Sequence, residues 1–326
     1  MDKAMIKIII RTLIITVLIL FIMLTTFSVA MANYLSTPRG LSLNEEKEWA
    51  ISHGVWGELE NYNTKEYTVK GKDDYVLHCE FVQNDNTKDT GKYVIISHGY
   101  NSNRYGAAKY VPVYIDLGYS CIIYDLRGHG ENEKSVCTIG NYEAEDLAKV
   151  IDDTYERYGD DIFLGLHGES MGSSTSLSVM RYSPNVKFVV ADCGFTNLYE
   201  LIGNEFRSSH IAFSEPCVDL ALRVIYGYSM KDTSAIDAVN GCTVPVCFIH
   251  GKNDTFITPD NSERLRECVV GYSELHLIDG AEHAQSREVL GISAYEEIVS
   301  DFLDVVYKKI NYNAKYCKYS SNTCSK

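Results

Sequence analysis

The sequence has no cluster of Lys and Arg residues that could bind a polyanion, and its 44 acidic residues outnumber its 30 basic ones. The resulting net charge of −14 argues against nucleic acid and against a strongly anionic membrane surface as partners. None of the ten cysteines belongs to a Cys-x-x-Cys pair with metal-ligand spacing, so we expect no zinc site. Repeats and low-complexity tracts are also absent. The remaining composition, 45% apolar and 23% charged, is that of an ordinary globular protein.

The first thirty residues differ from the rest of the chain. Lys3, Lys7 and Arg11 precede an uncharged run, Thr12–Ala32, that is rich in Leu, Ile, Val, Met and Phe. Because about 20 apolar residues let a helix cross a bilayer, residues 1–32 are predicted to be a transmembrane signal anchor. The basic flank would stay in the cytoplasm, which predicts a single-pass protein of the cell membrane with its folded domain outside.

A second interpretation of this segment stays open. Ala30-Met31-Ala32 fits the small-x-small pattern at which signal peptides are cleaved, and cleavage there would give a secreted protein. The apolar run is longer than the core of a usual signal peptide, and this length favours the anchor.

Short apolar segments alternate with helix-like segments through the rest of the chain. This alternation is typical of an α/β domain whose mostly parallel sheet has helices on both faces. We predict a linker with a helix over 33–64, the α/β domain over 65–310 and a polar C-terminal tail over 311–326. The predicted strands are Glu66–Lys70, Tyr75–Val82, Tyr93–Ser97, Ser120–Tyr124, Ile162–Leu166, Lys187–Ala191, Val244–His250 and Leu275–Ile278.

Residues 195–240 carry no strand signal, although predicted strands flank them. The segment is too long for a simple connection, so we expect a helical lid over a site at the carboxyl ends of the strands. Its apolar residues Phe206 and Phe213 are candidate substrate contacts, although either could instead pack the lid onto the sheet.

Residues 168–172 read Gly-Glu-Ser-Met-Gly, a G-x-S-x-G pattern that follows a predicted strand and precedes a helix-like stretch. A serine on such a sharp turn has its hydroxyl exposed at the end of the sheet. Side chains at the two glycine positions would collide with the neighbouring backbones. The pattern alone is common, but in this context it predicts Ser170 as a nucleophile.

A serine nucleophile needs a base, and in this arrangement an acid and then a histidine follow the serine along the chain. His283 lies in the loop between the last predicted strand and the last predicted helix. Asp254 follows the strand Val244–His250 and lies between Ser170 and His283, as this order requires. We therefore predict a triad of these three residues, with Asp192 as the alternative acid.

Two backbone N–H groups are expected to stabilise a developing oxyanion. One belongs to Met171, directly after the serine, and the other to Tyr100, in the loop after the strand Tyr93–Ser97. This chemistry requires neither a metal nor a cofactor, and we expect none.

Five segments, taken in order, resemble the motifs of the α/β-hydrolase superfamily. They read Ile-Ser-His-Gly-Tyr (96–100), Tyr-Asp-Leu-Arg-Gly-His-Gly (124–130), Gly-Glu-Ser-Met-Gly (168–172), Phe-Ile-His-Gly-Lys-Asn-Asp (248–254) and Gly-Ala-Glu-His (280–283). The chain looks most similar to exported or membrane-anchored bacterial serine hydrolases of the serine aminopeptidase and monoglyceride-lipase-like group. The resemblance implies an α/β-hydrolase fold with the same triad and oxyanion donors. The chain departs from many relatives after Gly130, where Glu131 replaces a serine.

The motifs and the predicted triad favour a serine hydrolase that cleaves a carboxylic ester of small or medium acyl chain through an acyl-enzyme intermediate. An aminopeptidase or small-amide hydrolase with the same triad stays open, because this fold hosts many chemistries. Its short-peptide substrate would need a carboxylate for the free amine, which Glu200, Glu205 or Glu215 of the lid could supply. A non-catalytic binding module would usually have lost a triad residue, and all three are present.

Overall fold

One eight-stranded sheet organises the part of the chain that the structure, a computed structural model, describes: residues 2–84 and 90–321, with side chains as far as Ile310. The strands lie in the order β1-β2-β4-β3-β5-β6-β7-β8. The pairs β1–β2 and β2–β4 are antiparallel, and all the other pairs are parallel. The strands are β1 (Asn63–Lys70), β2 (Val76–Gln83), β3 (Lys92–Ser97), β4 (Ser120–Tyr124), β5 (Phe163–Glu169), β6 (Phe188–Asp192), β7 (Val246–Gly251) and β8 (Ser273–Ile278). Every predicted strand is therefore present.

Helices cover both faces of the sheet, as predicted. They are α1 (Lys3–Ser36), α2 (Leu43–Ser52), α3 (Arg104–Ala107), α4 (Val111–Asp116), α5 (Tyr142–Tyr158), α6 (Met171–Ser178), α7 (Leu198–Ser208), α8 (Glu215–Ala221), α9 (Ala235–Val239), α10 (Asp260–Cys268), α11 (Ser286–Leu290) and α12 (Ile292–Ser321). The helix α12 extends past Ile310, where the sequence pattern placed the start of the polar tail, and residues 322–326 lie outside the described part of the chain.

The region between β3 and β4 shows how one residue interrupts a helix. The sequence pattern favours a single helix over Tyr105–Leu117, but the structure has α3, a 3-10 turn at Ala108–Tyr110 and then α4. Pro112 lies in the first turn of α4 and has no N–H to donate to the preceding turn. The chain therefore restarts its helix at this proline.

The core has two apolar clusters, one on each face of the sheet. The first includes Leu147 of α5, Leu177 of α6 and buried residues of the lid segment. The second includes Val113 of α4 and Phe302 of α12. The central strands are buried on both faces, as parallel strands between two helical layers must be.

The N-terminal helix α1 has two environments. Its large apolar side chains from Met5 to Met23 are exposed, and by length and composition the helix is able to cross a membrane. Its last turns contain the buried residues Ser28, Ala32, Leu35 and Ser36, and these turns pack against α8 of the lid segment. The end of α1 is therefore part of the packed domain.

Candidate active site

Ser170 lies on a sharp turn between β5 and α6. Its backbone has φ 54° and ψ −116°, a conformation that a residue with a Cβ rarely adopts. A Cβ at Gly168 would lie 2.2 Å from the carbonyl oxygen of Gly172, and one at Gly172 would lie 2.1 Å from that of Ser97. The two glycines therefore allow the backbone to make the turn that presents Ser170 at the carboxyl end of the sheet.

A continuous chain of hydrogen bonds joins the three residues of the predicted triad. The Oγ atom of Ser170 lies 2.9 Å from Nε2 of His283. The Nδ1 atom of His283 lies 2.7 Å from Oδ2 of Asp254. These side chains come from the turn before α6, the loop after β8 and the loop after β7, and the parallel sheet brings their loops to one edge.

Asp254 is a buried carboxylate, and both of its oxygens accept hydrogen bonds. Its Oδ1 accepts the backbone N–H groups of Phe256 and Ile257, at 3.0 and 2.9 Å. Its Oδ2 lies 3.3 Å from Nε2 of His250, in addition to its contact with His283. Burial opposes ionisation, but the hydrogen bonds from the two histidines and the backbone hold the pKa of Asp254 well below its usual value. The carboxylate is therefore ionised at neutral pH and favours the tautomer of His283 with a proton on Nδ1.

Asp192, the alternative acid, belongs to a different network. Its Oδ1 accepts the hydroxyl of Ser286 at 3.0 Å, and its Oδ2 accepts those of Tyr295 and Tyr110 at 3.0 and 3.3 Å. Burial and the nearby charge of Glu169 raise the pKa of Asp192 to about 6. The structure thus brings Asp254, and not Asp192, to His283.

The two predicted oxyanion donors both border the cavity beside Ser170. Met171 is the first residue of α6, so its N–H is one of those that a helix leaves without an intrahelical partner. Tyr100 lies in the loop after β3, and its ring hydroxyl donates to the carbonyl oxygens of Tyr34 and Leu35 at 3.1 and 3.2 Å. This ring therefore connects the Tyr100 loop to the end of α1.

Two buried histidines hold the Tyr100 loop. His98 accepts the N–H of Leu126 at 2.9 Å through Nε2, and its Nδ1 lies 2.7 Å from the carbonyl oxygen of Gly99. His129 accepts the N–H of Asn101 at 3.3 Å through Nε2. Burial lowers the pKa of each imidazole to about 4, so both stay neutral and keep Nε2 as an acceptor.

An apolar cavity of about 510 Å³ opens at Ser170 and His283. This volume lies within the range of small-molecule sites. Phe206 lines the cavity, whereas Phe213 lies in a short 3-10 turn of the lid, is 72% exposed and does not line it. Of the three lid carboxylates, Glu205 lines the cavity. Glu200 instead pairs with Arg264 of α10 at 2.8 Å.

Three further wall residues come from α1: Met31, Tyr34 and Leu35. The sequence pattern marks this segment only as part of, or next to, a membrane anchor. Residue spacing gives no indication that an anchor folds back onto the site, because this contact depends on the packing of α1 against α8.

A buried ion cluster lies next to the triad and has no motif that marks it. The ammonium of Lys109 pairs with Glu169, the residue before Ser170, and with Glu288 at 3.0 Å. It also donates to the carbonyl oxygen of Ala284, the residue after His283, at 3.3 Å. Lys109 is thus bound both to the serine turn and to the histidine loop. Its place in a predicted helix does not indicate that it connects these two loops.

Within the residues that the structure describes, one set of side chains could hold a metal ion. Donor atoms of Cys247, Glu274 and His276 lie within 4.8 Å of one another on β7 and β8. Glu274 also accepts one hydrogen bond from the hydroxyl of Tyr272 and lies 3.0 Å from Nε2 of His276. None of these residues lines the cavity at Ser170, so the set is separate from the candidate active site.

Comparison with known proteins identifies the family. The sequence profile of a family described as alpha/beta hydrolase fold matches residues 92–210. The chain is also 30% identical to the uncharacterized protein YqkD of Bacillus subtilis (strain 168) over 264 residues. This alignment covers 79% of this chain and 85% of YqkD. The chain belongs to the α/β-hydrolase superfamily. Because the profile match ends at residue 210, the placement of Asp254 and His283 in this α/β-hydrolase depends on the geometry described above.

Solved structures share the hydrolase fold. The esterase Pf2001 of Pyrococcus furiosus superposes with a TM-score of 0.61 at 18% identity, covering 83% of this chain and 97% of the esterase. The acylaminoacyl peptidase of Pyrococcus horikoshii superposes with a TM-score of 0.58 at 14% identity, covering 76% of this chain and 42% of the peptidase. At these identities the likeness concerns the fold, and the esterase and the peptidase represent two activities that this fold can carry.

Proposed function

We propose that this α/β-hydrolase is a serine hydrolase that cleaves carboxylic esters of small or medium acyl chain through an acyl-enzyme on Ser170. The hydrogen-bonded series Ser170–His283–Asp254 at the mouth of an apolar cavity is the observation that carries this proposal. In the first step, Nε2 of His283 takes the hydroxyl proton while Oγ forms a bond to the ester carbonyl carbon.

The remaining steps use the same groups. The N–H groups of Met171 and Tyr100 would bind the carbonyl oxygen as it gains negative charge. His283 then returns its proton to the leaving alkoxide, which departs as an alcohol and leaves the acyl group on Ser170. A water molecule, deprotonated by His283, then attacks the acyl-enzyme; the carboxylic acid leaves, and His283 returns the proton to Oγ of Ser170.

The test combines a covalent probe with a substrate panel. We expect a fluorophosphonate to label Ser170 in the wild type, and we expect neither Ser170→Ala nor His283→Ala to be labelled or to hydrolyse p-nitrophenyl esters. Ser208→Ala, in an exposed part of the lid outside the cavity, is the matched control and should be labelled fully. Full labelling of Ser170→Ala, or the absence of esterase activity in a labelled wild type, would contradict the proposal.

An aminopeptidase is the second candidate function, and the position of Glu205 favours it. This carboxylate lines an otherwise apolar cavity, where it could bind the free amine of a short peptide. The same enzyme assayed on aminoacyl-nitroanilides separates the two candidates. If the enzyme is a peptidase, Glu205→Gln should raise KM for the nitroanilides and leave ester turnover nearly unchanged.

We also propose that α1 is retained as a single-pass anchor, with the active site on the outer side of the cell membrane. The burial of Ala32 against the domain supports this, because cleavage after Ala32 would remove a packed part of the structure. The protein should need detergent for extraction, and protease added to intact cells should degrade the domain. A soluble product that begins at Asn33 would support secretion, and a protected domain would contradict both locations.

A further inference from the structure

The carboxyl-terminal end of α1 is one wall of the cavity that contains Ser170. Met31, Tyr34 and Leu35 line this cavity together with residues of the lid, the Tyr100 loop and the histidine loop. Anchor and site are therefore not separate modules joined by a flexible linker. Any acyl chain that fills the cavity would contact the last turns of α1.

Several polar contacts fix this wall to the domain. The hydroxyl of Ser36 lies 3.0 Å from that of Tyr228, and its carbonyl oxygen accepts the N–H of Cys137 at 2.9 Å. Tyr226, in the turn after α8, donates to the side-chain oxygen of Asn33 at 2.9 Å. With the bonds from the Tyr100 hydroxyl to α1, these contacts give the wall a defined position relative to Ser170.

The same residues lie where the predicted membrane span ends. A helix needs about 20 residues to cross the hydrocarbon core, so a span that starts after Arg11 ends near Ala32. Tyr34 is half exposed, and the guanidinium of Arg39 lies 5.4 Å from its ring centroid. Aromatic and basic side chains of this kind are typical of the lipid head-group level. A bilayer spanned by α1 would thus place the mouth of the cavity at the level where lipid head groups meet the acyl region.

The lid surface next to α1 is apolar and exposed. Leu220 of α8 and Val224 in the following turn are 60% and 75% exposed, and Ile225 is exposed as well. Both α8 and this turn pack against α1, so this surface continues the exposed apolar surface of the anchor. A bilayer that surrounds α1 would reach both surfaces at once.

The cavity lining also restricts the substrate's head group. Among its lining residues in the described part of the chain, Glu205 alone carries a formal charge at neutral pH, with His283 counted as neutral. No lining Lys or Arg is available to pair with a phosphate in that part of the chain. This lining favours an uncharged head group over an anionic one.

We propose that the end of α1 is part of the substrate site, and that this site takes the acyl chain of a neutral amphiphilic ester directly from the membrane that α1 spans. This inference rests on the proposed esterase function and extends its acyl range from small or medium chains to the long chains that a bilayer holds. The acyl chain would enter between α1 and the lid, and Ser170 would attack its ester carbonyl at the head-group level.

The experiment uses the full-length protein in phosphatidylcholine vesicles. It compares the hydrolysis of p-nitrophenyl palmitate held in the bilayer with that of p-nitrophenyl butyrate in water. We expect the wild type to prefer the palmitate by about tenfold or more in kcat/KM, since the longer chain fills more of the apolar site. A palmitoyl ester with a phosphate head group should be cleaved more slowly, and a faster rate would overturn the head-group assignment.

Two variants of α1 test the wall itself. Leu35→Trp places a large ring in the cavity wall and should lower the palmitate-to-butyrate ratio by about tenfold or more. Val29→Trp is the matched control, because Val29 is exposed on the same helix and does not line the cavity, and it should keep the wild-type ratio. An equal fall in both variants would show a general effect on α1 and would overturn the inference.

The remaining outcomes separate this inference from the function on which it rests. A wild type that cleaves the butyrate but not the vesicle-borne palmitate would overturn the inference and leave the esterase function in place. A wild type that cleaves no ester and is not labelled at Ser170 would overturn both. Fluorophosphonate labelling of Leu35→Trp shows whether that variant folds. If the variant does not fold, the preference of the wild type between palmitate and butyrate tests the inference.

Discussion

Lys109 forms a buried ion pair with Glu169, the residue that precedes Ser170. The same ammonium contacts Glu288 and the carbonyl oxygen of Ala284, so one side chain connects the serine turn with the loop that carries His283. This geometry gives Lys109 a positioning role, although it touches none of the three triad side chains.

Lys109→Met should therefore reduce both stability and turnover. The change leaves the carboxylates of Glu169 and Glu288 without their buried counter-ion, which costs about 3 to 5 kcal/mol in the free energy of unfolding. We expect kcat for a soluble ester to fall while KM changes little, because the serine turn and the histidine loop lose their common contact. Denaturant melts and steady-state kinetics measure both effects.

The double variant Lys109→Met/Glu169→Gln is the control for this prediction. It removes one of the unpaired charges and should recover part of the lost stability. If the single variant matches the wild type in both measurements, Lys109 has no positioning role.

The two candidate acids should differ sharply in their effect on turnover. Asp254→Asn keeps the shape of the side chain but favours the wrong tautomer of His283, and we expect kcat to fall by about four orders of magnitude. Asp192→Asn should have a much smaller effect on kcat, because its hydrogen bonds go to Ser286 and two tyrosines. Ester hydrolysis at neutral pH measures both, and a larger loss in Asp192→Asn would show that the acid is misassigned.

Phe206 and Phe213 form a matched pair for testing the acyl site. Phe206 lines the cavity, so Phe206→Ala enlarges it and should shift the preference between short and long soluble esters by roughly tenfold. Phe213→Ala removes a ring that is exposed outside the cavity and should keep the wild-type preference in solution. A chain-length series of p-nitrophenyl esters gives the answer, and an equal loss on every ester in Phe206→Ala would mark that residue as core.

Acid should destabilise the protein partly through His129. The unfolded chain takes up a proton on this residue near pH 6.5, whereas burial and the neighbouring His98 lower its folded-state pKa to about 4. Between these values the unfolded state binds more protons, so the free energy of unfolding falls as the pH is lowered. From about pH 7 to about pH 5, the loss from one such histidine is roughly 2 kcal/mol.

Urea melts of the wild type and His129→Gln at both pH values test this prediction. The variant should lose roughly 2 kcal/mol less over this interval, because it has one titrating imidazole fewer. The raised pKa of Asp192, about 6, acts in the opposite direction over part of the same interval. This contribution is common to both proteins and cancels in the comparison. Identical losses would show that His129 titrates normally in the folded state.

The sequence predicted the sheet well because its strands are short, apolar and separated by clear turn signals. The order of Ser170, Asp254 and His283 was also visible, since each follows a predicted strand and parallel strands end at one edge. The apolar spacing over Tyr105–Leu117 favours one continuous helix, and Pro112 is the residue that interrupts it between α3 and α4.

Other features depend on packing that a sequence pattern does not contain. The spacing of apolar residues in the lid indicates helices, but it does not distinguish Phe206, which faces the cavity, from the exposed Phe213. Likewise, Lys109 in a predicted helix has no spacing relation to Glu169 or Ala284. The role of the end of α1 as a cavity wall follows from a contact with α8, which no local pattern encodes.

The positive φ of Ser170 lowers local stability at the position where the proposed chemistry needs a hydroxyl. A residue with a Cβ held at φ 54° and ψ −116° costs about 1 to 3 kcal/mol, whereas a glycine would adopt the same angles without this strain. The substitution that best suits the backbone here, Ser170→Gly, would also remove the hydroxyl on which the proposed chemistry depends. Selection for stability alone would therefore drive this position toward an inert protein, so the serine persists only while its reaction is useful to the cell.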